Sequence, residues 1–365
     1  MDFQEVRALF PITREYLYFD ASSLAPYSKP VLEALNRFDA QQRDYGSAYF
    51  DKWGEEVEDC RRRIAELVGA KQSEIALTKN TSEGVNLVAL LLDWKKGDNV
   101  VATNVDFPAN VYPFLNLRNK GVEVKFIPGE KGITPRDVEE HIDRHTRLVT
   151  LSHVMYRDGF RLNVEEIGRI CREQDVYFHV NATQSLGALE LNVEKAKIDF
   201  LSAAGYKWLL SPLGSGFFFV REELLDGSPV LGWRSVKEPL AFNATEYEVA
   251  DSARRFELGS LDIAAFLGMR AALELLAKIG LKKVEKRVLQ LSSILSEELA
   301  DLGEELLSDP KENRSGIVSI KKEATKEELL KNKVVATVVD YIRFSPHIYN
   351  DEGDIHKLIE VLKKL

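Results

Sequence analysis

Short apolar runs recur through the middle of the chain, at residues 75–78, 99–103, 122–127, 148–154, 176–180, 200–204 and 216–220. Between most of them lie stretches in which apolar residues recur at helical spacing, as at 83–92, 164–173 and 193–196. Strands that alternate with helices in this way form a mostly parallel sheet with helices on both faces. The pattern therefore predicts an α/β fold with a seven-stranded, mostly parallel sheet.

The pattern changes after about residue 235. Two long helical stretches, 263–279 and 283–302, are followed by short strand-like runs and a last helix near 354–364. At 365 residues the chain is longer than one core usually supports, so two domains are expected. We predict a large domain over 15–235 and a smaller α+β domain made of 236–365 and the N-terminal residues 1–14.

Composition and charge exclude several classes of protein. The net charge of −9 is unsuited to a broad nucleic-acid surface, which needs clustered positive charge. No apolar run approaches the length of a membrane span, and the first residues have no apolar signal core. The two cysteines, Cys60 and Cys171, form neither a disulfide framework nor a metal motif. These features predict a cytoplasmic protein without a membrane, nucleic-acid or metal partner.

Lys207 is the most informative residue for chemistry. It lies in the sequence Ala-Gly-Tyr-Lys-Trp, directly after the apolar run that ends at Ala204. A lysine at this point is placed in the cleft at the end of the sheet, where α/β proteins bind ligands. A desolvated amine loses basicity and attacks carbonyls, as a Schiff base requires. Lys207 is therefore the candidate for a Schiff base with pyridoxal phosphate.

Three further segments carry candidate site residues. Thr81 and Ser82 open a helix after a strand, where free N–H and hydroxyl groups bind anions, although Asn80 and a glutamate three residues later also fit a simple helix cap. Phe107 follows the next strand and is placed to stack on a flat ring or to fill the core. Arg343 lies between two apolar residues, either as a buried ion-pair partner or as a clamp for a substrate carboxylate.

These segments, in this order, resemble the class V aminotransferases of the fold-type I pyridoxal-phosphate enzymes. That family includes cysteine desulfurases, kynureninases, isopenicillin-N-epimerase-like proteins and several transaminases. The resemblance extends from Tyr-Phe-Asp-Ala-Ser at 18–22 to the segment 343–350, and it is most specific from 198 to 210. It implies the fold-type I architecture and pyridoxal 5'-phosphate as the cofactor.

The resemblance also implies roles for single residues. Lys207 holds the cofactor and moves the proton at the substrate Cα, and Arg343 binds the substrate carboxylate. The cofactor-binding residues it implies are Thr81, Ser82 and Tyr206 at the phosphate, Phe107 over the ring, Asn181 at the ring nitrogen and Gln184 at the phenolic oxygen. Ser260 matches a residue that reaches the phosphate from the partner subunit, which implies a homodimer with its site at the interface.

Two departures from the family pattern affect the chemistry. Asn181 stands where the family almost always has an aspartate that keeps the ring nitrogen protonated, and an amide supplies no such charge. Cysteine desulfurases carry a histidine over the ring and a catalytic cysteine shortly before the arginine. Here Phe107 replaces the histidine, and residues 315–342 contain no cysteine. A conventional desulfurase, which needs a thiolate nucleophile, is therefore disfavoured.

The sequence thus predicts a pyridoxal-phosphate enzyme that acts on an amino acid. Transamination is the leading reaction. A lyase of the cysteine desulfurase, selenocysteine lyase or kynureninase type is the alternative, and so is a catalytically impaired homologue that binds the cofactor.

Overall fold

The computed structural model describes residues 1–225, 230–308 and 314–365. Its strands are β1 (Leu17–Tyr18), β2 (Ile75–Thr78), β3 (Asn99–Thr103), β4 (Glu123–Ile127), β5 (Thr146–Ser152), β6 (Tyr177–Asn181), β7 (Phe200–Ala204), β8 (Gly216–Val220), β9 (Glu305–Leu306), β10 (Val318–Lys321), β11 (Val334–Val335), β12 (Thr337–Val338) and β13 (Ile342–Phe344).

The α-helices of the described ranges are α1 (Phe3–Arg7), α2 (Lys29–Tyr45), α3 (Phe50–Val68), α4 (Thr81–Leu91), α5 (Tyr112–Leu115), α6 (Pro135–His141), α7 (Val164–Glu173), α8 (Ile263–Ile279), α9 (Leu281–Asp301), α10 (Lys326–Lys331) and α11 (Glu352–Leu362). The helix predicted at 193–196 is wrong, because this segment forms turns. Lys197 has a φ of 50°, and this left-handed residue stops any continuation of a right-handed helix.

The large sheet has the strand order β2-β8-β7-β6-β5-β3-β4. Strand β8 runs antiparallel to both of its neighbours, β2 and β7, whereas the other pairs are parallel. The prediction of a seven-stranded, mostly parallel α/β sheet is confirmed. Because only β8 is reversed, β2, β3, β4, β5, β6 and β7 all have their carboxyl ends at the same edge of the sheet.

Apolar residues cover both faces of this sheet. Along β2, Ile75 and Leu77 belong to one apolar cluster, while Ala76 between them belongs to another. Since successive side chains of a strand point to opposite faces, the two clusters lie on opposite sides of the sheet. Helices α3 and α7 complete the first cluster, and α4 and α5 complete the second. Burial on both faces explains why the strands are continuous apolar runs.

The C-terminal part forms a second, smaller sheet with the strand order β12-β13-β10-β9. Helices α9 and α11 cover it around a separate apolar cluster. The N-terminal segment joins this part of the molecule, because β1 pairs with β11 and Arg7 forms an ion pair with Asp354 at 2.5 Å. The domain boundary near residue 235 itself stays a prediction, and its two ranges include residues outside the described part of the chain.

A buried ion pair ties α3 to the segment that precedes α8. Arg61 and Glu257 are both almost fully enclosed, and Nη2 of the arginine lies 3.2 Å from Oε2 of the glutamate. The glutamate also accepts the backbone N–H of Leu77 in β2, at 2.8 Å. Removing one partner of such a pair leaves an uncompensated buried charge. The pair therefore fixes the backbone just before Ser260 against the edge of the large sheet.

Among the helices described, none is both long and apolar enough to cross a membrane.

Candidate active site

A cavity of about 470 Å³ opens at the edge of the sheet where these strand ends lie. The residues that line it are Asn80, Thr81, Ser82, Phe107, Ala109, Ser152, Tyr156, Asn181, Thr183, Gln184, Tyr206 and Lys207. The structure therefore brings together seven of the nine site residues predicted from the sequence, and the other two are Arg343 and Ser260.

The amino end of α4 forms one wall of the cavity. Asn80 caps the helix by accepting the backbone N–H of Glu83 at 3.0 Å, so the cap considered from the sequence is present. The N–H groups of Thr81 and Ser82 have no partner inside the helix, because the first turn of any helix leaves its donors free. Gly84 allows the close approach to β7, since a Cβ there would lie 2.5 Å from Oγ of Ser202. The helix end is thus a capped terminus whose free donors are suited to bind an anion.

Lys207 extends its amine between two aromatic rings. The Nζ atom lies 5.9 Å from the ring centre of Phe107 and 5.8 Å from that of Tyr206. Burial lowers the pKa of Lys207 to about 8, and the nearby Arg343 cation contributes in the same direction, while Asp20 opposes them. At pH 7 roughly a tenth of this amine is therefore neutral and nucleophilic, a far larger share than for a lysine of ordinary pKa.

Arg343 lies on β13 and is only 5% exposed. Its guanidinium donates from Nη1 to the carbonyl of Tyr156 at 2.6 Å, and from Nη2 to the hydroxyls of Ser23 at 2.8 Å and Thr337 at 3.0 Å. Its Nε has no hydrogen-bond partner, and no carboxylate of the described residues forms an ion pair with it. Burial lowers the pKa of Arg343. A buried guanidinium that makes no direct contact with a carboxylate is suited to bind an anion.

The carboxylate of Asp20 lies next to the two hydroxyls that bind Arg343. Thr337 donates to its carboxylate at 2.7 Å, and Ser23 also bonds to it. Burial raises the pKa of Asp20, whereas these hydrogen bonds oppose the rise. The carboxylate therefore balances the charge of Arg343 through the hydroxyls, and the guanidinium keeps donors free for a ligand.

Gln184 is fixed by two neighbours. Its amide nitrogen donates to the carbonyl of Ser22 at 3.0 Å, and its oxygen accepts the indole N–H of Trp208 at 2.9 Å. The backbone carbonyl of Trp208 in turn lies 2.9 Å from Nε2 of His347. This chain of contacts holds the residue next to Lys207 in place, and it leaves one amide hydrogen of Gln184 for a ligand. The role predicted for Gln184 at a phenolic oxygen stays a prediction.

Ser260 does not line this cavity. It lies in a second cavity of about 700 Å³, together with Phe50, Trp233 and Arg234. The resemblance placed this residue at the phosphate of the partner subunit, and a single chain does not test that prediction.

Both cysteines lie away from the cavity. Cys60 is in α3 and Cys171 is in α7, each is buried, and burial raises the pKa of each thiol to about 12. Strands β12 and β13, which carry Thr337 and Arg343, are joined directly by residues 339–341. The segment just before Arg343 is therefore a tight hairpin without a thiol.

The sequence did not identify several residues of this site. Ser152, Tyr156 and Thr183 line the cavity, and Ser23 and Thr337 hold Arg343. A partial signal existed, because the first three lie at or just beyond strand ends. Ser23 and Thr337 could not be found, since 314 residues separate these two hydroxyls in sequence.

The cavity fits pyridoxal phosphate. The free N–H groups of α4 suit its phosphate, the exposed face of Phe107 suits its ring, and the neutral amine of Lys207 suits its aldehyde. Thr81 and Thr183, whose hydroxyl oxygens are 2.5 Å apart, add polar groups at the phosphate end. In the described parts of the chain, no cluster of histidine, cysteine or carboxylate side chains could hold a metal ion.

Comparison with known proteins agrees with this geometry. The model of the family described as aminotransferase class-V matches residues 16–340. The probable cysteine desulfurase of Methanothermobacter thermautotrophicus is 32% identical over 325 residues, which cover 87% of this chain and 80% of that protein. The probable cysteine desulfurase of Pyrococcus abyssi is 34% identical over 82% of this chain and 76% of its own length.

Among solved structures, the apo cysteine desulfurase from Thermococcus onnurineus NA1 is similar, with a TM-score of 0.91 and 27% identity. The match covers 99% of this chain and 97% of that one. The two folds therefore correspond over almost their whole length.

Proposed function

The chain belongs to the aminotransferase class-V family and is a pyridoxal-phosphate enzyme, and on that premise we propose that it is a lyase that cleaves the Cβ–S bond of a sulfur-containing amino acid. The names of its relatives support a sulfur amino acid as the substrate, because those proteins are named cysteine desulfurases. The transamination favoured from the sequence has less support from these relatives. The lyase given as the alternative agrees with them better.

One observation carries the proposal. Lys207 lines the cavity and Arg343 donates to the carbonyl of Tyr156, another residue of its lining, whereas both thiols of the chain are buried in helices away from it. A desulfurase that forms an enzyme persulfide needs a thiolate nucleophile beside the substrate sulfur. Without that thiolate, the sulfur atom is not transferred to the enzyme. It leaves as part of the fragment that is cleaved from the substrate Cβ. The expected products are then a sulfide, persulfide or thiol, a 2-oxo acid and ammonia.

Each site residue has a defined task in this reaction. Bound pyridoxal phosphate supplies an aldehyde for amines and a ring that withdraws electrons from the substrate Cα. Arg343 binds the α-carboxylate and so orients the substrate. Lys207, with its lowered pKa, takes the proton from Cα as a general base. Phe107 covers the ring, and the amino end of α4 holds the phosphate.

We also propose that the working unit is a homodimer to which Ser260 contributes across the interface. The surface near its cavity supports this, because Leu231, Trp233, Leu240 and Phe242 are all exposed there. An apolar patch of this kind commonly marks a protein interface.

The products of turnover test the proposed reaction. With L-cysteine we expect pyruvate, ammonia and sulfide in equal amounts, and with L-cystine pyruvate, ammonia and the persulfide of the remaining cysteine. A desulfurase instead forms alanine, and a transaminase forms a 2-oxo acid without releasing sulfur. The double variant Cys60→Ala, Cys171→Ala should keep the cleavage rate within about twofold, because neither thiol reaches the substrate. Alanine as the main product, or loss of cleavage in a folded double variant, would contradict the proposal.

The pKa of Lys207 predicts how the apoprotein captures its cofactor. Only the neutral amine attacks an aldehyde, so the rate should rise about tenfold for each pH unit below the pKa. Since the pKa of Lys207 is about 8, the rate should level off above that pH. A stopped-flow absorbance series from acidic to alkaline pH measures this profile. A rate that keeps rising toward the ordinary pKa of lysine would show that the amine is not desolvated.

A further inference from the structure

The backbone two residues further along the chain fixes the orientation of the Asn181 side-chain amide. The N–H of Thr183 donates to Oδ1 of Asn181 at 3.1 Å. Because a backbone N–H can only donate, the atom it meets is the amide oxygen and not the nitrogen. The side chain is 5% exposed and lines the cofactor cavity. Its Nδ2 hydrogens meet no acceptor among the described residues, so Asn181 offers the cavity a donor.

No carboxylate compensates for this amide. Ser152 lies directly opposite Asn181 on the neighbouring strand, and its hydroxyl donates to Asp106 at 2.6 Å. Asp106 also accepts the backbone N–H of Ser152 at 3.0 Å and the amide of Asn110 at 2.8 Å. The backbone N–H of Phe107 donates to it as well, at 2.7 Å. The oxygens of Asp106 are thus occupied by four donors of the protein, and neither Asp106 nor any other carboxylate of the described residues lines the cavity, so the wall at Asn181 presents an N–H group.

We infer that Asn181 donates its Nδ2 hydrogen to the ring nitrogen of the cofactor, keeps that nitrogen unprotonated, and thereby selects β-elimination over transamination. A ring nitrogen that accepts a hydrogen bond uses its lone pair for that bond, and no carboxylate of the described residues lines the cavity to stabilise a proton on it. The selection of β-elimination over transamination rests on the proposed function. The protonation state of the ring nitrogen does not depend on that proposed function.

The chemistry connects the two halves of this inference. Lys207 takes the α-proton, and the electron pair of the broken Cα–H bond stays on the substrate. Transamination needs this charge to spread over the ring, so that a proton can return at the aldehyde-derived carbon, and a neutral ring spreads it poorly. In elimination the same pair forms a Cα–Cβ double bond, while the Cβ–S bond breaks and sulfur leaves with its electrons. Water then hydrolyses the product to a 2-oxo acid and ammonia, without any oxidant.

Nitrogen NMR of the loaded protein tests the first half directly. The protein is reconstituted with pyridoxal phosphate that carries ¹⁵N in the ring, and no substrate is added. We expect the shift of an unprotonated pyridine in the wild type and in Asn119→Asp, which adds the same charge at an exposed position. In Asn181→Asp the shift should move to that of a protonated ring. A protonated ring in the wild type would overturn the inference, even if the variant failed to fold.

Product ratios test the second half. Transamination relative to elimination should rise in Asn181→Asp by about tenfold or more, because a nearby opposite charge changes a protonation equilibrium by ~1–3 powers of ten. An unchanged ratio with a changed nitrogen shift would reject Asn181 as the selector while leaving its hydrogen bond intact. If no β-elimination is found with any sulfur amino acid, the proposed function fails, and the nitrogen shift still decides the role of Asn181 at the ring.

Discussion

Replacing Lys207 with alanine is expected to reduce turnover by at least ~10³-fold. The same amine has two tasks in the proposed reaction, because it holds the aldehyde between turnovers and removes the α-proton during each one. Its place between the rings of Phe107 and Tyr206, with a pKa of about 8, suits both. The measurement is the elimination rate of saturated enzyme, together with the visible absorbance of covalently bound cofactor, which should disappear.

Two control variants separate the tasks of Lys207 from simple loss of charge. Lys207→Arg keeps a cation but cannot act as a base near neutral pH, so it should be as inactive as the alanine variant. Lys120→Ala removes an exposed lysine and should behave as the wild type. The alanine variant should still bind cofactor without a covalent bond, because α4 and Phe107 remain. Turnover above about a tenth of the wild-type rate would place the general base on another residue.

The sheet could be predicted because its strands are buried on both faces. All seven predicted strands are present, and the strand observed at Tyr177–Asn181 begins one residue after the apolar run at 176. Its last residue, Asn181, is polar and was therefore excluded from a pattern based on apolar residues. The helix predicted at 193–196 rested on a window of about one turn, which is too short to establish a helical period.

The cavity itself could be predicted in large part, because strand order alone brings strand ends together. Lys207, Asn181 and Phe107 each follow or end a strand with its carboxyl end at the same edge. The surroundings of Arg343 could not be predicted in this way. They depend on Ser23 and Thr337, which come from distant parts of the chain. The orientation of the Asn181 amide also depends on the local backbone, which the residue type does not specify.

The prediction for Ser260 concerns quaternary structure. In the single chain this residue is in a cavity with Trp233 and Arg234, away from Lys207. Its role depends on how two chains associate, and no pattern within one sequence contains that geometry. The resemblance to a family supplied the prediction, and a structure of the assembly is what would test it.

Replacing Arg343 with alanine is expected to lower kcat/KM by roughly 10²–10³-fold, mainly through KM. The guanidinium is already buried, already oriented by Tyr156 and two hydroxyls, and without a carboxylate partner among the described residues. Binding the substrate carboxylate therefore requires little further ordering of the protein. Steady-state kinetics of the wild type, Arg343→Ala and Arg343→Lys give the effect. Lysine should restore only part of it, because it lacks the planar pair of donors.

A substrate without the carboxylate shows whether Arg343 acts on that group. The wild type should discriminate against the corresponding amine, such as cysteamine in place of cysteine, by about the factor that Arg343→Ala loses with the amino acid. In Arg343→Ala that discrimination should largely vanish, because the group that recognises the carboxylate is gone. The two changes then show strong coupling, as expected for partners in direct contact. If the variant loses activity equally toward both compounds, Arg343 supports the fold of the site through Ser23 and Thr337 and does not bind the carboxylate.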